Sequence, residues 1–171
     1  MIKPIALTCG EPSSIAPEIT VEAWKTLKNE LQFVLFSSFE YMKKRFPEIP
    51  MQRVLNCSEA LDVMVNALPI IDIPFSEEPK IGKVDQKLAF DTIRSIKMAA
   101  ECCMIGEAAA LCTNPINKFA LSSGANFKYT GHTDFLKHLT NSNQAIMMIA
   151  SDKLKVIPVT IHVSLIEAIS T

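Results

Sequence analysis

Pro4-Ile5-Ala6-Leu7-Thr8-Cys9-Gly10-Glu11-Pro12-Ser13-Ser14-Ile15-Ala16-Pro17 opens the chain on a change of pattern. Residues 4–9 are a short apolar run, which reads as a buried strand. Gly10 to Ser14 breaks the run. Pro17 then suits the first turn of a helix, where its missing N–H would lack a helical partner anyway. Ile19, Ala23, Trp24 and Leu27 give that helix, about 17–29, one apolar side. A strand, a small-residue loop and a helix N-terminus in that order form a ligand rim, because open α/β sheets bind at the C-terminal ends of their strands.

The same alternation continues outward. Residues 31–36 are a second apolar strand, and 39–46 form a helix ended by Pro47. Residues 53–57 read as a strand, followed by a helical pattern in Leu61, Met64, Val65 and Leu68. Pro69 to Pro74 is a short strand between prolines, which suits an edge. Residues 75–84, with Pro79 and Gly82, read as a loop. The longest helix is expected over 85–104, with Leu88, Ile93, Ile96, Ala100 and Cys103 on the side that covers a sheet. Residues 108–113 read as a buried strand stopped by Pro115. A short helix then runs to Ser123, with Gly124 just past its end. Residues 145–150 are a fully apolar strand whose methionines belong to a core. Residues 155–162 form another, with Pro158 marking an edge or bulge, and 165–171 begin a helical pattern.

Composition narrows the classes of function. With 171 residues, 49% apolar and 20% charged, the chain is globular and about one domain in size. A net charge of -1 leaves no broad basic field for nucleic acid or an acidic membrane. Lys43-Lys44-Arg45 reads as a solvated helix face. No apolar stretch approaches the ~18 residues of a membrane span, and the first residues form no signal peptide. Cys9, Cys57, Cys102, Cys103 and Cys112 are odd in number and contain no Cys-x-x-Cys pattern. They fit reduced, mostly buried thiols of a cytoplasmic protein, with Cys102 and Cys103 as packing residues.

The candidate chemistry gathers at Phe127-Lys128-Tyr129-Thr130-Gly131-His132-Thr133-Asp134-Phe135-Leu136, a loop running into a helix. Gly131 allows close backbone approach, and Thr133 or Asp134 can cap the first turn. His132 and Thr133 at a helix start suit an anion, which the free N–H groups and the helix dipole favour. Spacing alone favours an ordinary capped helix with an exposed histidine. Lys118 either offers a cation to phosphate or carboxylate or is a surface lysine. His138 reads as a surface residue, and His162, taken by pattern alone, as a structural one. One histidine does not make a metal site.

Gly131-His132-Thr133-Asp134-Phe135-Leu136 resembles the Gly-His-Thr-Glu-Phe-Leu signature of the 4-hydroxythreonine-4-phosphate dehydrogenase family. Thr8 to Glu18 is similar to that family's Thr-x-Gly-Asp-Pro-Ala-Gly-Ile-Gly-Pro-Glu, with Glu11, Ser13, Ser14 and Ala16 as departures; the last two lose a glycine's access to positive φ. Thr113-Asn114-Pro115-Ile116-Asn117-Lys118 resembles Thr-x-Pro-(Val/Ile)-x-Lys. Met147-Met148-Ile149-Ala150 through Thr160-Ile161-His162-Val163-Ser164-Leu165 resembles Met-Met-Leu-Ala … Thr-x-His-x-Pro-Leu. The likeness spans nearly the whole chain but only about the first half of a family member.

The resemblance implies an α/β fold in three layers with a mixed, mostly parallel sheet, similar to one lobe of the isocitrate and isopropylmalate dehydrogenases. It implies that 1–171 is the N-terminal part of a two-lobed, homodimeric enzyme whose second half is not in this chain. The implied activity is NAD-dependent oxidation of 4-phosphooxy-L-threonine followed by decarboxylation, in pyridoxal phosphate biosynthesis. On that likeness His132 and Thr133 bind substrate, and His162 binds a divalent metal (zinc, magnesium or cobalt). NAD contacts fall mainly in the second half. Two other readings stay open on sequence: a metal-independent phosphate-handling enzyme such as an acyl-phosphate transferase, and a non-catalytic binding or oligomerisation module.

Overall fold

Neighbouring residues of the apolar runs bury on opposite sides of one sheet. The computed structural model describes residues 2–160 and 163–170. Its strands β1 (Ile5–Thr8), β2 (Phe33–Ser37), β3 (Met51–Arg53), β4 (Leu68–Asp72) and β5 (Ala110–Cys112) lie in the order β3-β4-β2-β1-β5. Every pairing among them is parallel. Parallel strands need crossover connections, and these are supplied by α1 (Ala16–Leu27), α2 (Phe39–Arg45), α3 (Ala60–Val63) and α4 (Ala89–Met104). Ala6, Val34, Phe36 and Ile71 pack with Ala60 and Ala99 on the face covered by α3 and α4. Leu7, Phe33, Leu35 and Ile70 pack with Val21, Trp24 and Met42 on the face covered by α1 and α2. The fold is therefore α/β in three layers, and burial on both faces explains why the inner strands read as continuous apolar runs.

A 3-10 turn, Gln86–Leu88, leads into α4, whose far side carries α5 (Lys118–Ala125) and α6 (His132–Leu139). Ala89, Ile96, Leu121, Phe127 and Phe135 join these helices. Phe127 meets Tyr129 and Phe135 edge-on at 5.1 and 5.0 Å between ring centroids. The last described segment holds β6 (Ile149–Ala150), β7 (Lys155–Val156) and α7 (Leu165–Ile169). Strands β6 and β7 form an antiparallel ribbon separate from the main sheet. Among the described residues, no helix is long and apolar enough to cross a membrane.

The structure departs from the sequence expectations at several points. The proline-flanked strand β4 is internal, between β3 and β2. Leu68 N–H donates to Pro50 O, so the next residue, Pro69, turns its missing N–H toward β2, ahead of the first paired residues there, Leu35 and Ile70. The strand expected at 53–57 ends at Arg53, two residues after it begins. In contrast, β5 is an edge strand, with Ala110 and Cys112 exposed rather than buried. Gly124 lies inside α5, where any side chain would meet Gln86 O at 1.9 Å. Asn126 takes the left-handed position that ends the helix, at φ 50°. The run 145–150 is exposed, Met147 and Met148 included, so these methionines are not core residues in this chain.

Arg45 departs furthest from its reading as part of a solvated face. Its side chain is 6% exposed and ion-pairs with Glu18. It donates to Pro12 O at 2.9 Å and to Ser14 O at 3.2 Å, and it hydrogen-bonds Tyr41. The guanidinium fork thus ties the last turn of α2 to the loop that follows β1.

Candidate active-site crevice

The chain leaves β1 toward β2 and later crosses back to place β5 on the other side of β1. This reversal is a topological switch point, where the loops at the strand C-termini part and leave a crevice. Here the two loops are the one between β1 and α1 and the one between β5 and α5. Glu11 N–H donates to Pro115 O at 2.8 Å, which joins them directly. A recess of about 350 Å³ opens beside that bond, lined by Glu11, Ser13, Gly82, Val84, Pro115 and Asn117. Gly82 enters through its own bond, N–H to Ser13 O at 2.8 Å.

Buried polar groups fix the floor. Asn114 donates Nδ2 to Thr8 O at 2.9 Å and to Thr20 Oγ1 at 2.7 Å. Its own N–H reaches Thr8 Oγ1 at 3.2 Å. One side chain thereby locks β1, α1 and the β5 loop together, as a satisfied buried network does. Gly10 is required by the same closeness. Its φ is +68°, and a Cβ would stand 2.6 Å from Asn114 Cβ and 2.7 Å from Pro115 O. Ser14 and Ala16, where relatives of the motif carry glycine, need no positive φ here. Ser14 Oγ accepts from Ala16 N–H at 3.3 Å and donates to Glu11 O, so the serine braces the entry to α1.

Glu11 curls back, its carboxylate accepting from Ser13 N–H at 3.2 Å. Burial pushes its pKa up, against the lowering effect of the Ser13 bonds, and Asp85 pushes in the same direction as burial. Cys9, at the end of β1, is fully enclosed and its thiol is raised to about 12 by burial, so it is not a nucleophile.

A second group of residues adjoins the crevice through the β5 loop. Asn117 lines the recess and also caps α5, its side chain accepting from Ala120 N–H. The next residue, Lys118, turns to α6. A methyl group placed on Gly131 would lie 3.7 Å from Lys118 Cε and 3.8 Å from its Nζ. Gly131 is the N-cap of α6 and offers no side chain to its first turn. Helix α6 therefore starts at His132, ahead of the cap residues expected from sequence. Asp134 caps in a different sense, accepting from Thr130 N–H at 3.2 Å.

His132 is half-buried, and its Nε2 is shut from solvent with no partner among the described residues. Burial lowers its pKa first, and the Lys118 charge lowers it further, both favouring the neutral imidazole. Lys118, the neutral His132 and the unsatisfied N–H groups of the α6 first turn together suit an anion with hydroxyl or phosphate oxygens. They do not suit a divalent cation, which would meet the lysine charge. Thr133 is exposed at the next position of the same turn. His138 is a surface residue against Tyr129, as expected. His162 lies outside the described residues.

Sequence reasoning missed Asn114 and Arg45 as organisers of this site. Only the position of Asn114, between an apolar strand and a proline, hinted at the first. Nothing in a Lys-Lys-Arg run separates the arginine that turns inward.

The chain resembles known proteins over nearly its whole length. The chain is 42% identical over 161 residues to the 4-hydroxythreonine-4-phosphate dehydrogenase of Ruegeria sp., covering 94% of this chain and 48% of that protein. It is 36% identical over 165 residues to the protein of the same name from Roseobacter denitrificans, covering 95% and 49%. The crystal structure of the Burkholderia phymatum 4-hydroxythreonine-4-phosphate dehydrogenase superposes with a TM-score of 0.86 at 27% identity, over 99% of this chain and 53% of that one. The Klebsiella pneumoniae enzyme gives 0.84 at 29% identity, over 99% and 54%. The chain thus spans about half the length of the curated relatives it matches. The family model for the pyridoxal phosphate biosynthetic protein PdxA matches residues 19–171, and the chain belongs to that family.

Proposed function

We propose that this chain supplies the first part of a two-lobed, homodimeric cytoplasmic dehydrogenase that oxidises 4-phosphooxy-L-threonine and releases carbon dioxide from the resulting β-keto acid. The product is 3-amino-2-oxopropyl phosphate, a precursor in pyridoxal phosphate formation. The relatives' shared name supports the substrate class. The observation that carries the reading is the Lys118–Gly131–His132 cluster, a cation and a neutral imidazole set over an uncapped helix start.

In this reading His132 and Thr133 hold an oxygen-rich end of the substrate, and Lys118 neutralises its charge. A neutral histidine both donates and accepts, so it orients a hydroxyl or phosphate oxygen without adding a second positive charge beside the lysine. The buried Asn114 network keeps the β1 and β5 loops fixed while the substrate is bound. NAD to accept hydride and a divalent cation, with His162 among its ligands, to acidify the hydroxyl complete the expected chemistry.

The test is a thermal shift of this chain with 4-phosphooxy-L-threonine, beside His132→Ala and Lys118→Met. Binding at one hundred times Kd stabilises by about 2.7 kcal/mol. The expected result is a clear upward shift in Tm that both variants lose. A shift that both retain moves the substrate anchor away from α6 and overturns the assignment.

A further inference from the structure

At the N-terminal end of β5, opposite the crevice, two sulfurs and a carboxylate converge. Cys57, from the loop before α3, is completely buried. Cys102 lies on the last turn of α4 and is partly exposed, and Glu107 is exposed. One donor atom from each of the three lies within 4.8 Å of the other two. The backbone explains how Glu107 arrives there. Gly106 takes φ +80°, its N–H donates to Cys103 O, and Glu107 N–H donates to Cys102 O at 2.8 Å. This is a Schellman turn, which ends α4 and folds the following residue back over the turn that carries Cys102.

We propose that Cys57, Cys102 and Glu107 form a binding site for a thiophilic divalent cation of the zinc type. The donor chemistry selects the ion: two thiolates with one carboxylate suit zinc and cadmium, whereas magnesium and calcium require oxygen ligands. The spacing agrees as well. Two sulfurs each ~2.3 Å from a tetrahedral centre stand roughly 3.8 Å apart, within the 4.8 Å limit of this cluster. Cys57 closes the site from inside, while the exposed Glu107 leaves an approach from solvent and room for water as a fourth ligand. The site shares no residue with the crevice or with the Lys118–His132 cluster, and it stands whether or not the proposed dehydrogenase activity does.

Cysteine binds metal as the thiolate, so each bound ion displaces the thiol protons and affinity rises with pH.

The experiment is a titration of the reduced chain with Cd²⁺, followed by thiolate-to-metal charge-transfer absorption in the ultraviolet. A cation held by histidine and carboxylate alone gives no such band, so the family's expected metal does not interfere. The expected result is a band that saturates at one equivalent, is displaced by Zn²⁺, and accompanies release of about two protons. Cys102→Ser should lose it, Glu107→Gln should weaken binding at least ~10-fold, and Cys112→Ser should leave it unchanged. Cys57→Ala tests the buried ligand, and the exposed Glu107→Gln keeps the test decisive should that variant fail to fold. No band in the native chain, a band undiminished in Cys102→Ser, or a band lost in Cys112→Ser overturns the proposal. So does a native chain that loses two hydrogen masses and two free thiols in air with no band, since the pair is then a disulfide rather than a ligand set.

Discussion

Residues 5–8 and residues 145–150 have much the same apolar character, yet they end in opposite environments. In β1, Ala6 and Leu7 are 0% and 8% exposed, between two helical layers. In the later run, Ile146 and Ile149 are 66% and 63% exposed, and β6 has only the short β7 beside it. The difference lies in what each run meets. A strand of a parallel sheet becomes an unbroken piece of core when both of its faces are covered, and coverage comes from elements far away in sequence.

The sharpest way to break this comparison is to truncate one residue in each region. Phe36→Ala, at the centre of β2, should cost about 4 kcal/mol through lost transfer energy and the cavity left behind. Ile149→Ala should change stability by less than about 0.5 kcal/mol. Urea unfolding of both variants checks the pair. Equal losses would mean that the ribbon is packed in solution, against a second copy or another part of the protein.

Gly10→Ala sharpens the same contrast at the edge of the core. The new methyl would sit 2.6 Å from Asn114 Cβ in a backbone of positive φ, so we expect a loss of about 3 kcal/mol. Gly82→Ala also has a positive φ but nothing within 4 Å of the added atom. It should cost only the conformational term, about 1 kcal/mol. Similar unfolding midpoints for the two would show that the β1 and β5 loops are not tightly joined.

This contrast also explains which features were legible in the sequence. The first two strands and α4 declared themselves, because burial on both faces writes an unbroken apolar run and helix packing writes a 3.6-residue period. Strand order did not, since it is set by pairing across the sheet. Pro69 argued for an edge and stands inside, while Ala108 to Thr113 argued for the interior and forms an edge. The period of α4 also hid its polar burial: Ser95 donates Oγ to Phe36 O at 2.7 Å and accepts from Cys9 N–H, so a serine fills a core position. At the site, Gly131 and His132 were visible as a motif. The approach of Lys118 was not, because it depends on α5 and α6 both docking on α4.

The Lys118–His132 pair gives the smallest effect and the most specific one. His132 should titrate below the usual 6.5, with burial as the larger cause and the Lys118 charge as the smaller. Its folded-state pKa then lies below its unfolded value, so the unfolded chain binds more protons in the window under 6.5. Stability should therefore rise with pH across that window and fall as the solution is acidified, with the slope reduced in His132→Gln. Proton NMR of the imidazole Cε1–H reads the midpoint directly. In Lys118→Met it should move upward but remain below the usual value, because burial is untouched. A native midpoint at or above that value would mean that the ring is solvated and the lysine distant, and the neutral anchor at the start of α6 would be lost with them.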